Sequence, residues 1–87
     1  MVNKFLLKEF GDRIRYFRIQ ENLSQEQLSH KTGFHRTYIG MIERAERNIS
    51  LTNMAVFAKA FNLTLDELLK FDKAKELLNK YELKTED

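Results

Sequence analysis

The chain has 87 residues, of which 43% are hydrophobic and 32% are charged, and this length suffices for one domain but not for two. The absence of cysteine excludes disulfides, thiolate metal sites and cysteine nucleophiles, and the absence of proline favours helices over a turn-rich β sandwich. The formal net charge is only +2, but all six arginines precede residue 48, so the amino-terminal half is the better match for an anionic partner. No apolar run reaches the roughly 18 residues of a membrane span and no signal peptide is recognisable, so we expect a cytoplasmic protein.

Two helices are predicted at the start of the chain. Apolar side chains recur at spacings of three and four from Leu7 to Phe17, which predicts a helix over residues 3–20. After a break in this pattern, Ser24 and Gln27 fit a capping box, in which the serine hydroxyl accepts from a backbone N–H and the glutamine side chain reaches back. They therefore predict the start of a second, shorter helix.

A third helix is predicted after a turn that contains Gly33, a residue suited to the left-handed backbone at a helix end. This helix is expected to run from about His35 to Arg44. The small side chain of Ser29 allows the second and third helices to approach each other closely. Residues 24–44 thus have the spacing of a helix-turn-helix.

Three further helices are predicted in the remainder of the chain. The fourth carries an apolar stripe at spacings of three, four and three, formed by Leu51, Met54, Ala58 and Phe61. Either Ser50 or Thr52 could cap it. A second capping box, Thr64 with Glu67, opens a fifth helix, and a sixth is expected over about residues 72–83.

The outer face of the third helix is the strongest functional signal from the residues themselves. Arg36, Thr37, Gly40 and Met41 share this face, since helical neighbours recur three and four positions apart. Arginine can fork onto guanine O6 and N7, and threonine can pack its methyl against thymine, so this face suits a DNA major groove. Gly40 either lets a ligand backbone approach closely or has no functional role. Two short helices joined by a glycine turn also occur in unrelated folds, so the spacing alone leaves DNA binding open.

The stretch RIRYFRIQENLSQEQLSHKTGFHRTYIGMIERAERNISLTNMAVFAKAFNLTLDELL resembles the Cro/repressor-type (Xre) helix-turn-helix regulators of phages and bacteria. The signature RTYI…ER…RNIS over residues 36–50 and the Phe-Leu-Leu opening at residues 5–7 are most similar to the controller proteins of restriction–modification systems. The resemblance implies an all-α chain with one domain over residues 1–87. Its core, residues 4–70, would be a five-helix lambda-repressor-like DNA-binding domain, followed by a C-terminal helical extension.

The resemblance also implies a role for each matching position. Arg36 and Thr37 match base-reading positions, and Met41 is expected as a third base contact on the same face. Gln25 matches a phosphate-contacting position at the start of the second helix. The other residues expected on the sugar–phosphate backbone are Tyr38, Arg47, Asn48, Ser50 and Thr52.

The resemblance further implies a partly buried ion pair between Arg18 and Glu43, which would join the first and third helices. The chain departs from the family pattern at three places. Ala45 stands where the family usually has glycine, Gly40 where many relatives have serine, and Met41 where they have a polar residue. Ala45 affects how the third helix ends, whereas Gly40 and Met41 affect which operator sequence is recognised.

The many apolar residues after position 54 exceed what one small core needs, which predicts a two-fold dimer. The residues expected at its interface are Val56, Leu65, Leu68, Phe71 and Leu78. In the alternative, the last helix folds back on its own domain.

The predicted partner is a double-stranded DNA operator bound by a homodimer, with pairs of dimers possible on DNA. No cofactor, metal or membrane is expected, since His30 and His35 have no carboxylate at ligand spacing. An enzyme is not expected either, because no nucleophile, base and orienting group converge. Two alternatives stay open: a phage or chromosomal repressor of the same fold, and an antitoxin-like module whose main partner is a protein.

Overall fold

The computed structural model describes residues 4–71, which form five α-helices and no strand within that range. The helices are α1 (Lys4–Gln20), α2 (Gln25–Thr32), α3 (Arg36–Glu43), α4 (Leu51–Ala60) and α5 (Leu65–Leu68). The predicted five-helix, all-α fold is therefore confirmed, whereas the sixth helix over residues 72–83 lies outside the described residues. No helix within residues 4–71 is long and apolar enough to cross a membrane.

Polar side chains cap four of the five helices at their amino ends. Ser24 and Thr64 form the two complete capping boxes that the sequence predicts. Ser50, not Thr52, caps α4. His35 caps α3, because its Nδ1 accepts a 3.1 Å hydrogen bond from a backbone N–H in the first turn of the helix. Each cap satisfies a donor that has no partner inside the helix.

Three helices end on a left-handed residue that is not glycine. Asn22, Ala45 and Asn62 have φ angles of 56°, 60° and 57° and follow α1, α3 and α4 respectively. After Ala45, the backbone N–H of Glu46 donates to the carbonyl of Met41 at 2.8 Å, which is the six-to-one bond of a Schellman motif. Asparagine adopts this backbone conformation readily, whereas in alanine it brings the Cβ atom too close to the following carbonyl oxygen. Glycine would adopt this conformation without that clash.

The core lies between α1, α3 and α4, with α2 and α5 closing its two sides. Its fully buried side chains include Phe57, which meets Phe10 and Phe34 with ring centroids 6.4 and 5.1 Å apart. The predicted core position of Leu51 is wrong, because its side chain is 63% exposed. The buried side of α4 is centred on Phe57, and Leu51 at the first position of the helix lies away from that side.

The helices α1 and α3 approach each other at backbone distance. A Cβ atom on Gly11 would lie 2.4 Å from the carbonyl oxygen of Ile42 and 2.8 Å from that of Glu43. No side chain fits between these surfaces, so Gly11 is required by close approach. The carboxyl end of α3 is thereby seated directly on the middle of α1.

The position of α5 corrects one expectation about the dimer. Leu68 is 0% exposed and belongs to the core of the protomer, so its side chain is not available at a subunit interface. Arg13 of α1 donates to the backbone carbonyls of Leu68 and Glu67, and this holds α5 against α1. Leu65 and Phe71 are half-buried against the same core. Val56 is also half-buried, and Leu78 lies outside the described residues.

The left-handed backbone of Ala45 generates a stability prediction. The change Ala45→Gly should raise the free energy of unfolding by about 0.5–1 kcal/mol, because it removes the Cβ clash while adding some backbone entropy to the unfolded chain. Urea denaturation followed by circular dichroism measures it. The matched control is Ala55→Gly at an exposed position inside α4, which should lower the same free energy by about 1 kcal/mol. Destabilisation by both changes would contradict the strain assigned to Ala45.

Candidate nucleic-acid interface

The turn between α2 and α3 is fixed by side chains of α2. Ser29 Oγ donates to the carbonyl of Phe34, and Thr32 Oγ1 accepts from the Phe34 N–H at 3.1 Å while donating to the carbonyl of Leu28. Gly33 takes the predicted left-handed conformation, with φ 80°. Sequence reasoning treated Ser29 only as a small residue at a helix contact, but its hydroxyl also sets the path into α3. The direction of α3 is therefore determined locally.

The two faces of α3 have opposite character. Ile39 and Ile42 are 0% and 2% exposed and attach the helix to the core. Arg36 and Thr37 are exposed on the first turn, and Met41 is half-buried on the second. The structure thus places the predicted base-reading side chains on the solvent side. The prediction that Gly40 shares this open face is wrong, because Gly40 is buried beneath the side chains of Arg44 and Gln25.

Tyr38 connects α3 with the loop that follows it and with α4. Its hydroxyl accepts a 3.0 Å hydrogen bond from Asn53 Nδ2, and its ring packs edge-on against Phe34 at 5.1 Å. The guanidinium carbon of Arg47 lies 5.7 Å from the centre of the Tyr38 ring. Two residues expected on the DNA backbone, Tyr38 and Arg47, are therefore in mutual contact. Sequence reasoning missed Asn53, since its contact spans 15 residues and follows no helical spacing.

The loop before α4 presents a second row of polar groups. Arg47, Asn48 and Thr52 are exposed. The hydroxyl oxygen of Ser50 accepts from the backbone N–H of Asn53 at 3.1 Å as the helix cap, and its own proton can still be donated outward. The side-chain oxygen of Asn48 accepts from the next backbone N–H in the loop. Of these four residues, Arg47 also contacts α3, through the Tyr38 ring.

A bidentate ion pair underlies this surface. Arg18 Nε and Nη2 donate to the two carboxylate oxygens of Glu43 at 2.6 and 2.9 Å, with the side chains only 13% and 4% exposed. Arg18 Nη1 also donates to the carbonyl of Leu23 at 2.9 Å, and Gln25 Nε2 donates to Glu43 at 3.2 Å. The hydrogen bonds from Arg18 to Glu43 raise the pKa of the guanidinium above its ordinary value. The pair joins α1, the turn after it, α2 and α3.

Gln25 is half-buried at the first position of α2, with its amide nitrogen turned toward Glu43 and its side-chain oxygen toward Gly40. This residue is therefore oriented from below by the ion pair. Within residues 4–71 there is no buried side-chain polar atom without a partner and no group of histidine and acidic residues that could hold a metal ion. The exposed groups of the surface are hydrogen-bond donors, hydroxyls and arginines, a set that suits phosphates and base edges.

Comparison with known proteins identifies a family and several proteins that this chain is similar to. Residues 14–68 match the Helix-turn-helix family HTH_3. The control protein C.SmaI of Serratia marcescens is 48% identical over 59 residues, which cover 68% of this chain and 70% of that protein. The crystal structure of the restriction-modification controller protein C.AhdI from Aeromonas hydrophila is similar with a TM-score of 0.69 at 42% identity, covering 71% of this chain and 94% of that chain. The controller protein C.Esp1396I, in the structure of its tetramer in complex with its natural 35 base-pair operator, is 31% identical with a TM-score of 0.69, covering 85% of this chain and 96% of that one.

The buried ion pair generates a second stability prediction. The change Arg18→Met should lower the free energy of unfolding by about 3–5 kcal/mol, because it leaves the Glu43 carboxylate buried without its cation. Chemical denaturation measures the loss. The matched control is Lys8→Met, which removes one cation from the exposed Lys8–Asp12 pair on the same helix and should leave stability nearly unchanged. Equal effects of the two changes would contradict the role assigned to Arg18.

Proposed function

The chain belongs to the Helix-turn-helix family HTH_3, and from this premise we propose that it binds a pseudo-palindromic operator as a homodimer and regulates transcription. The similarity to controller proteins confirms the resemblance stated from the sequence, and the family consists of DNA-binding regulators, not enzymes. The regulated genes would be its own and that of a linked restriction endonuclease. The observation that carries the proposal is the exposed pair Arg36 and Thr37 on a helix whose opposite face is buried.

We expect two kinds of contact with DNA, one to bases and one to phosphates. Arg36 at the start of α3 can make a bidentate contact to guanine, and Thr37 can read a neighbouring base, with Met41 as an apolar third contact. Contacts to phosphate supply most of the affinity and make it sensitive to salt. The residues proposed for them surround α3: Gln25, Tyr38, Arg47, Asn48, Ser50 and Thr52. Their hydroxyls, amides and guanidinium groups are suitable donors to phosphate oxygens.

A homodimer would place two copies of α3 in successive major grooves on one face of the duplex, about 34–36 Å apart. Val56, Leu65, Phe71 and Leu78 remain the proposed interface, now without Leu68. The operator-bound tetramer of C.Esp1396I supports a pair of such dimers on an extended operator. We place the protein in the cytoplasm, as a single domain over residues 1–87 with its helix-turn-helix at residues 24–44.

The two alternative functions require different surfaces. A phage or chromosomal repressor of the same fold would use the same surface, and the genes adjacent to the operator distinguish it from a controller. An antitoxin-like module would need an apolar outer face on α3. Gly40 and Met41 are the residues of α3 that would suit such a face, but Gly40 is buried and Met41 is half-buried. The surface therefore favours DNA over a protein partner.

Selection from a random duplex library by the purified protein at about 0.15 M salt tests the proposal. The expected result is an enriched inverted repeat with half-sites about one helical turn apart. Weak, salt-sensitive binding with no enriched sequence would overturn sequence-specific regulation. Sedimentation of the protein with the enriched duplex gives the number of subunits, and a single bound protomer would overturn the dimer.

The exposed position of Arg36 yields a prediction on specificity. The change Arg36→Ala should cost about 1–3 kcal/mol of binding to the selected operator and relax preference at a single base position. Repeating the selection and titration with the variant measures both effects. The control is Arg15→Ala, an exposed arginine on α1, which should preserve the base preference. If Arg36→Ala weakens binding to all sequences equally, Arg36 contacts a phosphate instead of a base.

A further inference from the structure

Gly40 is buried inside the proposed DNA-binding surface by two side chains, that of Arg44 at the carboxyl end of α3 and that of Gln25 in α2. A Cβ atom built on Gly40 would lie 3.0 Å from Arg44 Nη1 and 3.3 Å from Gln25 Oε1. These distances are tighter than ordinary van der Waals contact, so the guanidinium of Arg44 lies over the glycine where a larger residue would push it. Arg44 and Gln25, a proposed phosphate contact, therefore flank the same glycine.

Arg44 has an internal partner of its own. Its Nε and Nη2 donate to the two carboxylate oxygens of Glu46 at 3.0 and 3.1 Å. Both side chains are more than half exposed, at 57% and 51%. The third nitrogen, Nη1, lies over Gly40. The Arg44–Glu46 pair is therefore an exposed fork-to-fork contact at the edge of the surface that would meet DNA.

A pair of this kind is easily exchanged. Ion pairs between exposed side chains contribute little to stability, and a phosphate accepts the same two parallel hydrogen bonds from arginine as a carboxylate does. Glu46 meanwhile places a negative charge where a DNA phosphate would approach. Neither Arg44 nor Glu46 has a role in the residue assignments made from the family resemblance, so their geometry calls for a separate account.

We propose that Arg44 is a further phosphate-contacting residue, that Gly40 provides the space for its guanidinium beside Gln25, and that Glu46 holds Arg44 in the unbound protein until a DNA phosphate replaces it. The inference rests on the proposed DNA-binding function. It assigns a role to the glycine that departs from the family pattern. It also makes Glu46 a competitor of DNA for the same guanidinium.

The test is binding of the selected operator by Arg44→Ala, Glu46→Gln and the double variant. Arg44→Ala should weaken binding about tenfold and reduce the slope of log affinity against log salt by about 1.8, since a dimer loses two phosphate contacts. Glu46→Gln should tighten binding about threefold because the competitor is gone. In the double variant that gain should be smaller, because only the direct repulsion between Glu46 and the phosphates is then removed. Lys8→Ala, which removes a cation from the exposed pair on α1, is the matched control and should change affinity less than twofold.

The outcomes separate this inference from the function on which it rests. If the unaltered protein selects no operator, the proposed function fails. If it selects one and Arg44→Ala binds it with unchanged affinity and salt slope, Arg44 does not contact phosphate. An equal loss with Lys8→Ala would show a general charge effect and also overturn the contact. If Glu46→Gln tightens binding equally with and without Arg44, Glu46 repels DNA directly and does not act through the arginine.

A spectroscopic measurement tests the exchange without altering the protein. In the unbound protein the hydrogen bonds from Arg44 lower the pKa of the Glu46 carboxyl. Departure of the guanidinium and arrival of a phosphate both disfavour the carboxylate, so the pKa of Glu46 should rise in the operator complex. Carbon-13 NMR titration of that carboxyl, with and without operator, measures the change. An unchanged or lower pKa in the complex would contradict the replacement of Glu46.

A substitution at Gly40 tests the role assigned to this residue. Gly40→Ala should raise the melting temperature, because alanine favours a helix, and should weaken operator binding by less than Arg44→Ala does, because the flexible end of Arg44 has to shift by only a few tenths of an ångström. In the Arg44→Ala background the same change should leave affinity unaltered. If it weakens binding equally in both backgrounds, Gly40 acts by admitting the DNA backbone itself, and the space assigned to Arg44 is wrong.

Discussion

The buried pair between Arg18 and Glu43 is the interaction on which the arrangement of the surface depends. Removing two ions from water is costly, and the cost is met only when every remaining donor and acceptor finds a partner. Here the guanidinium also donates to the carbonyl of Leu23, and the carboxylate also accepts from Gln25. One pair thus fixes the end of α3, the turn after α1 and the first side chain of α2 relative to one another.

The helix α3, which carries the proposed base-reading residues, is consequently fixed at its two ends by different interactions. At its carboxyl end the ion pair and the close approach of α1 at Gly11 leave no room for rotation. At its amino end the hydrogen bonds of Ser29 and Thr32 define the turn, and His35 caps the first backbone donors. A short helix that is held in this way can present two side chains to a groove at low conformational cost, because its orientation is set before DNA arrives.

The exposed part of the surface is held by weaker contacts than the buried ion pair. Arg47 lies over the Tyr38 ring, and Arg44 forms an exposed pair with Glu46, which we propose is exchanged for a DNA phosphate. The buried ion pair lies beneath these contacts, and Gln25 donates to its carboxylate while its side-chain oxygen lies beside Gly40. Affinity for a polyanion can therefore be adjusted at the rim by changes such as those at Glu46 without disturbing the core.

Sequence alone determined the features that depend on neighbouring residues: the bounds of α1 and α3 to within one residue, the capping boxes at Ser24 and Thr64, the left-handed turn at Gly33, and the exposure of Arg36 and Thr37. These follow from spacings of three and four residues and from hydrogen bonds that close within one turn. Only the tertiary structure decided the burial of Leu68, the exposure of Leu51, the link from Asn53 to Tyr38 and the cover over Gly40. Periodicity can show that a helix has an apolar side. Which residues of that side are covered depends on partners tens of positions away, and those partners meet only when the helices pack.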